Sequence, residues 1–193
     1  MTLKKLLLSI AALALSFQIQ LAQAVNPKVK VETSKGNMVF ELYPEKAPKT
    51  VANFLDYVNA GSYDGTIFHR VIKNFMNQGG GFTADYKKVD TRDPIQNEAD
   101  NGLKNLKYTI AMARTSAPHS ATNQFFINTA DNAFLDHSGK SMRGWGYTVF
   151  GKVVEGDNIA GAISRVATGS GGPFSTDVPA TPIIIEKMTE IKE

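Results

Sequence analysis

Apolar and polar residues alternate over residues 28–33 and again over residues 37–42, where Met38, Phe40 and Leu42 share one face. Such alternation marks half-buried strands. The two runs flank the turn Ser34-Lys35-Gly36-Asn37, so they predict a β-hairpin. Residues 44–48 begin and end in proline and break the pattern. Beyond Thr50 the period changes. Val51, Phe54, Leu55 and Val58 fall at i, i+3, i+4 and i+7, which predicts an amphipathic helix stopped by Gly61. A weaker helical period covers residues 158–164. Short strands are predicted at 66–71, 109–113, 124–129, 148–153 and 182–191. Gly79-Gly80-Gly81 reads as a turn or bulge, and residues 85–107 and 168–181 read as long loops. Several strands with one strong helix predict an antiparallel sheet closed into a barrel, or a sandwich, with the helix over an open end.

The first 24 residues have a different character. Lys4 and Lys5 precede an apolar run from Leu6, and Ala22-Gln23-Ala24 is a small-x-small cleavage site. This is the layout of an export signal, and its apolar part is short for a span of about 20 residues. The expectation is cleavage after Ala24. That leaves residues 25–193 as a single domain, periplasmic in a bacterium with an outer membrane and with no stable membrane association.

Composition narrows the chemistry. The chain has no cysteine, which removes thiol catalysis, disulfides and thiolate metal sites. Without Lys4 and Lys5 the charge balance is 19 basic to 18 acidic residues. No basic cluster stands out, so no nucleic-acid partner is expected. There is no phosphate loop, dinucleotide fingerprint or zinc-protease motif, and His69, His119 and His137 are scattered. No metal and no cofactor are expected. A serine nucleophile near His119 lacks the strained elbow sequence that would expose it.

Two stretches combine large apolar residues with strong hydrogen-bonding groups, as a ligand pocket does. One is Phe68-His69-Arg70-Val71-Ile72, continuing through Phe75-Met76 to Gln78-Gly79-Gly80. The other comprises Ala113-Arg114, Asn123-Gln124-Phe125-Phe126-Ile127 and Phe134-Leu135-Asp136. Taken singly, most have bland readings: Phe-Met and Phe-Phe pairs as core, Arg70 as a solvated charge, His69 as structural. Strand alternation would set Phe68 and Arg70 on one face and His69 on the other.

Taken together, these segments and Val149-Phe150-Gly151-Lys152-Val153 resemble the cyclophilins, the cyclosporin-sensitive peptidyl-prolyl isomerases. The resemblance runs from about Val29 to Met188. It is strongest with the exported cyclophilins of Gram-negative bacteria, through residues 97–102 and 131–134. It implies a mainly β fold, a closed eight-stranded antiparallel barrel capped by two helices. It also implies a groove for proline-containing unfolded or partly folded polypeptides. Arg70 matches the catalytic arginine. Phe75, Met76, Phe126 and Leu135 match the proline pocket, and Gln78 and Gln124 match groups that hold the peptide backbone. Ala113 and Arg114 match the stretch that pairs with substrate. Phe134 stands where well-known members carry tryptophan, and Tyr147 where many carry histidine.

The expected activity is cis/trans isomerisation of X-Pro bonds during folding of exported proteins. Lys73-Asn74 replaces a common Pro-Gly, and Arg114 replaces a common asparagine. Phe134 lacks the indole N–H donor, so weak cyclosporin binding is expected. With no coiled-coil repeat, a monomer is expected. Two other readings remain open at this level. One is a non-catalytic proline-peptide module or holdase chaperone that uses the same groove. The other is a lipocalin-like barrel with its ligand inside.

Overall fold

The computed structural model describes residues 26–192; the expected export signal lies outside the described residues. The predicted hairpin forms from β1 (Lys28–Thr33) and β2 (Gly36–Leu42), with Val29 opposite Phe40 and Val31 opposite Met38. These four side chains are fully buried. Helix α1 (Pro48–Asn59) follows. Its cap position, Ala47, has no side-chain oxygen. Instead Glu98, from the long loop, accepts from the backbone N–H groups of Lys49 (3.1 Å) and Thr50 (2.9 Å). A carboxylate there satisfies two orphan donors and opposes the positive end of the helix dipole.

The remaining strands are β3 (Thr66–Ile72), β4 (Met76–Thr83), β5 (Thr109–Met112), β6 (Phe125–Asn128), β7 (Val149–Glu155), β8 (Thr168–Gly171), β9 (Phe174–Pro179) and β10 (Ile184–Ile191). Helix α2 (Asp157–Ile163) follows β7 and contributes Ala160 and Ile163 to the central core. Eight strands close into an antiparallel barrel in the order β1-β10-β3-β4-β6-β5-β7-β2, which excludes the sandwich. Its interior is filled by side chains. Phe125 lies at the centre of an aromatic cluster, with ring centroids 6.0 Å from Phe40, 5.7 Å from Phe54, 5.6 Å from Tyr63 and 6.2 Å from Phe68. An interior packed in this way has no room for an enclosed ligand, so the lipocalin-like reading falls.

Two sequence expectations are corrected, and a third is met. The glycines 79–81 lie within β4 and pair irregularly with β3, the bulge alternative of the sequence reading: Thr66 is opposite Thr83, but Phe68 is opposite Gly79. A Cβ on Gly80 would come within 2.8 Å of the Tyr63 ring, and one on Gly81 within 2.5 Å of Gln124. The missing side chains make room for these neighbours. Residues 168–181 are not a loop, because β8 and β9 pair as a hairpin lying beside β3. Finally, Phe68 and Arg70 do not share a face. Phe68 pairs with Gly79 and Arg70 with the next residue back, Gln78, so His69 is an extra residue, a bulge. Phe68 and Val71 both join the interior, while Arg70 is left half-exposed.

Candidate active site

Strand register places the candidate site. Across the barrel wall Arg70 of β3 lies opposite Gln78 of β4, Gln78 opposite Phe126 of β6, and Phe126 opposite Ala111 of β5. Alternation does the rest on β5 and β6. Ile110, Met112, Phe125 and Ile127 enter the interior core, whereas Ala111 and Phe126 join a second cluster with Met76, Leu135 and Val149. Met76, Phe126 and Leu135 of this second cluster line a cup of about 110 Å³, with Ala111 and Val149 buried in the same cluster. The full lining of the cup is Arg70, Phe75, Met76, Gln78, Ala113, Arg114, Phe126, Leu135 and Tyr147. All nine were singled out in the sequence. They come from three strands, β3, β4 and β6, and from the connections between strands.

Arg70 holds the lip of the cup. Its Nη1 donates to Gln78 Oε1 (3.4 Å), and Gln78 Nε2 donates to Gln124 Oε1 (2.9 Å). On its other edge Nε faces Asp177 Oδ2 at 3.8 Å. Asp177 comes from β9 and has φ +67°, an unusual backbone for a non-glycine residue. His69 has no part in the cup. It is 2 % exposed, and its ring packs against Phe82 (4.8 Å) and Phe174 (5.4 Å). Burial lowers its pKa to about 4.

The far wall is fixed by backbone. Tyr147 N–H donates to Leu135 O (2.9 Å), and Arg114 Nε donates to Gly146 O (2.8 Å). The Arg114 guanidinium lies 4.6 Å over the Tyr147 ring. Gly146 has φ +71°, and a Cβ there would sit 2.6 Å from Leu135 O. Phe134 stands outside the cup lining, 73 % exposed, with its ring 5.5 Å from Phe75. Gln124 lines an adjoining hollow of about 260 Å³ together with Gln78, Ala113 and Arg114.

Sequence reading missed the residues that brace these walls. Buried Asn132 donates to Phe75 O (2.9 Å) and to Asn128 Oδ1 (2.7 Å). Asn128 in turn donates to Asn105 Oδ1 (3.2 Å), and Asn105 to Asp136 Oδ1 (3.1 Å). This network ties the Phe75 turn to the Leu135 turn. Asn105 was read as loop composition, Asn128 as part of the 124–129 strand and Asn132 only as part of the 131–134 segment, so no local pattern marked the three as partners. Lys88, Thr91 and Thr122, which line the adjoining hollow, were also missed, and nothing in their local pattern marks them.

An apolar cup with a fixed guanidinium on its lip can seat a small ring and donate a hydrogen bond to an atom beside it. Comparison with known proteins identifies the family. Residues 28–190 match the family model described as cyclophilin type peptidyl-prolyl cis-trans isomerase/CLD. The chain is 60 % identical to the peptidyl-prolyl cis-trans isomerase cyp18 of Streptomyces antibioticus over 158 residues, covering 82 % of this chain and 95 % of that one. It is 53 % identical to peptidyl-prolyl cis-trans isomerase A of Dickeya dadantii over 178 residues, covering 92 % of each. It is 55 % identical to peptidyl-prolyl cis-trans isomerase B of Escherichia coli over 161 residues, covering 83 % and 98 %. The crystal structure of a Cryptosporidium parvum cyclophilin type isomerase shares the fold, with a TM-score of 0.68 at 24 % identity over 87 % of this chain and 99 % of that one.

Proposed function

The chain belongs to the cyclophilin-type peptidyl-prolyl cis-trans isomerases and catalyses X-Pro isomerisation, and we propose that Arg70 carries the catalytic step. Its substrates are proline-containing polypeptides. An X-Pro bond is planar because the nitrogen lone pair is delocalised, and rotation costs roughly 18–20 kcal/mol. At the twisted midpoint the lone pair returns to nitrogen, which then accepts a hydrogen bond that it cannot accept when planar. A donor fixed beside that nitrogen therefore stabilises the transition state more than the ground state. A guanidinium suits the task, being donor-only and charged.

The supporting observation is the position of Arg70, half-exposed at the lip of the apolar cup and held from either edge by Gln78 and Asp177. Phe75, Met76, Phe126 and Leu135 grip the proline ring by burial, at about 1.5–3 kcal/mol for a fully buried side chain of this kind. Gln78, Gln124, Ala113 and Arg114 hold the peptide on either side of it, while Tyr147 and Phe134 complete the rim. Acceleration of cis-to-trans exchange in a short Ala-Pro peptide tests the reading. Uncatalysed exchange takes tens to hundreds of seconds, and an unchanged rate with folded protein would refute it.

The same reading has two finer parts. The clients are exported proteins, reached after cleavage behind Ala24. The alignment with the Dickeya relative is longer than residues 25–193, so the likeness extends into the leader. Sequencing of exported protein should begin at Val25; a start at Met1 would contradict this. The domain acts as a monomer, and its cyclosporin affinity is weak because Phe134 offers an exposed ring with no N–H. Drug titration should show tighter inhibition of Phe134→Trp than of wild type, and equally tight inhibition of both would refute it.

A further inference from the structure

The proline cup continues past Tyr147 into a third hollow of about 670 Å³, lined by Arg114, Thr115, Ser116, Met142, Arg143 and Tyr147. Arg114 lines all three hollows, so they form one continuous groove. The charged side chains along it are Arg70, Lys88, Arg114 and Arg143, and among the described residues no carboxylate lines any part. Outside the leader the chain is nearly balanced in charge. The groove is therefore a local segregation of positive charge and does not follow from a basic protein.

The cations differ in how far they are neutralised. Arg70 faces Asp177. Arg114 donates only to the carbonyls of Gly146, Thr115 and Ser116, which orient it and leave its charge uncancelled. Arg143 is exposed and, among the described residues, has no ion pair or hydrogen bond. Beside it Met142 is 64 % exposed, an apolar ledge on the same hollow. The segment that presents them is anchored on both sides. Trp145 is buried, with its ring 4.8 Å from that of His119 and 5.3 Å from that of His137. Lys140 pairs with Asp100 at 3.0 Å, and Ser138 N–H donates to Gly144 O at 2.8 Å. The two side chains are thus held out over the end of the groove.

We propose that Met142, Arg143, Arg114 and Tyr147 form a specificity subsite for an acidic side chain of the substrate, next to the proline cup. This rests on the reading of the cup as the proline site. A Glu or Asp carboxylate a few residues from the proline would meet two guanidinium groups with no competing anion, while its stem lies on Met142. Exposed pairs of this kind are individually weak and are screened by salt. The expected discrimination is therefore about 2- to 10-fold in kcat/KM.

The test uses Ala-Pro peptides carrying Glu, Gln or Lys on the N-terminal or the C-terminal side. They are assayed with wild type and Arg143→Glu at low and high salt. Binding of the same labelled peptides is read by fluorescence anisotropy. In one of the two placements wild type should prefer Glu over Lys by about 2- to 10-fold at low salt. The preference should shrink at high salt and vanish or reverse in Arg143→Glu. The Glu-to-Lys ratio is taken within each protein, so a general loss of activity in the variant cancels. Equal handling of Glu and Lys in both placements, or a ratio unchanged by Arg143→Glu, would overturn the subsite. Failure to accelerate even the Gln peptides would instead refute the isomerase reading, and anisotropy would still decide the charge preference.

Discussion

At His69 a titratable ring is enclosed between Phe82 and Phe174, one residue from the proposed catalytic group. Burial holds its pKa at about 4, whereas an unfolded histidine titrates near 6.5. Between those values the unfolded chain binds the proton and the folded one does not, so stability falls as pH falls from about 6.5 to 4. At about 1.4 kcal/mol per pH unit the loss amounts to roughly 3 kcal/mol. His69→Phe keeps the packing and removes the proton. Its urea midpoint should fall less between pH 7 and pH 4.5 than that of wild type, and parallel falls would contradict the assignment. The same residue shows where strand alternation misleads. His69 is a bulge, so the parity of β3 changes there, and Arg70 faces outward although Phe68, two residues earlier, faces in. Local sequence carries no mark of that extra residue, because the register is set by the pairing of β3 with β4.

The elements divide by how local their causes are. The β1–β2 hairpin and α1 were legible because their burial faces repeat along the chain itself. Strand β4 was not, because its three glycines lack strand propensity and their reason lies elsewhere in the barrel. Gly80 has φ +83°, and a Cβ would lie 2.8 Å from Tyr63 and 3.2 Å from Phe125. Gly80→Ala should therefore destabilise by about 2–4 kcal/mol, combining backbone strain with overpacking. A loss under about 1 kcal/mol by urea denaturation would contradict this account. The β8–β9 hairpin was also illegible: most of its residues are exposed or half-exposed, and no alternating apolar face announces it. It nevertheless brings Phe174 over His69 and Asp177 to Arg70.

As a whole, the molecule is a filled barrel whose outer wall carries the chemistry. Closure pairs each of the eight barrel strands on both sides, so the barrel itself has no open edge among the described residues. A packed interior keeps the row Arg70, Gln78, Phe126 and Ala111 in register. All nine cup residues could be named in advance because the family resemblance supplied long-range information that period and propensity lack. The asparagine network and the cationic end of the groove could not, since they depend on which loops meet. The central claim is that one fixed donor at a rigid cup accelerates the rotation. The most direct test is the kcat/KM of wild type, Arg70→Ala and Arg70→Lys for an Ala-Pro peptide, with peptide affinity measured separately. Loss of a donor aimed at the transition state should lower kcat/KM by about 100-fold or more in Arg70→Ala, with Arg70→Lys in between and peptide affinity changed far less. A folded Arg70→Ala protein within about threefold of wild type would contradict the account, since a loss that small is under about 1 kcal/mol of transition-state stabilisation.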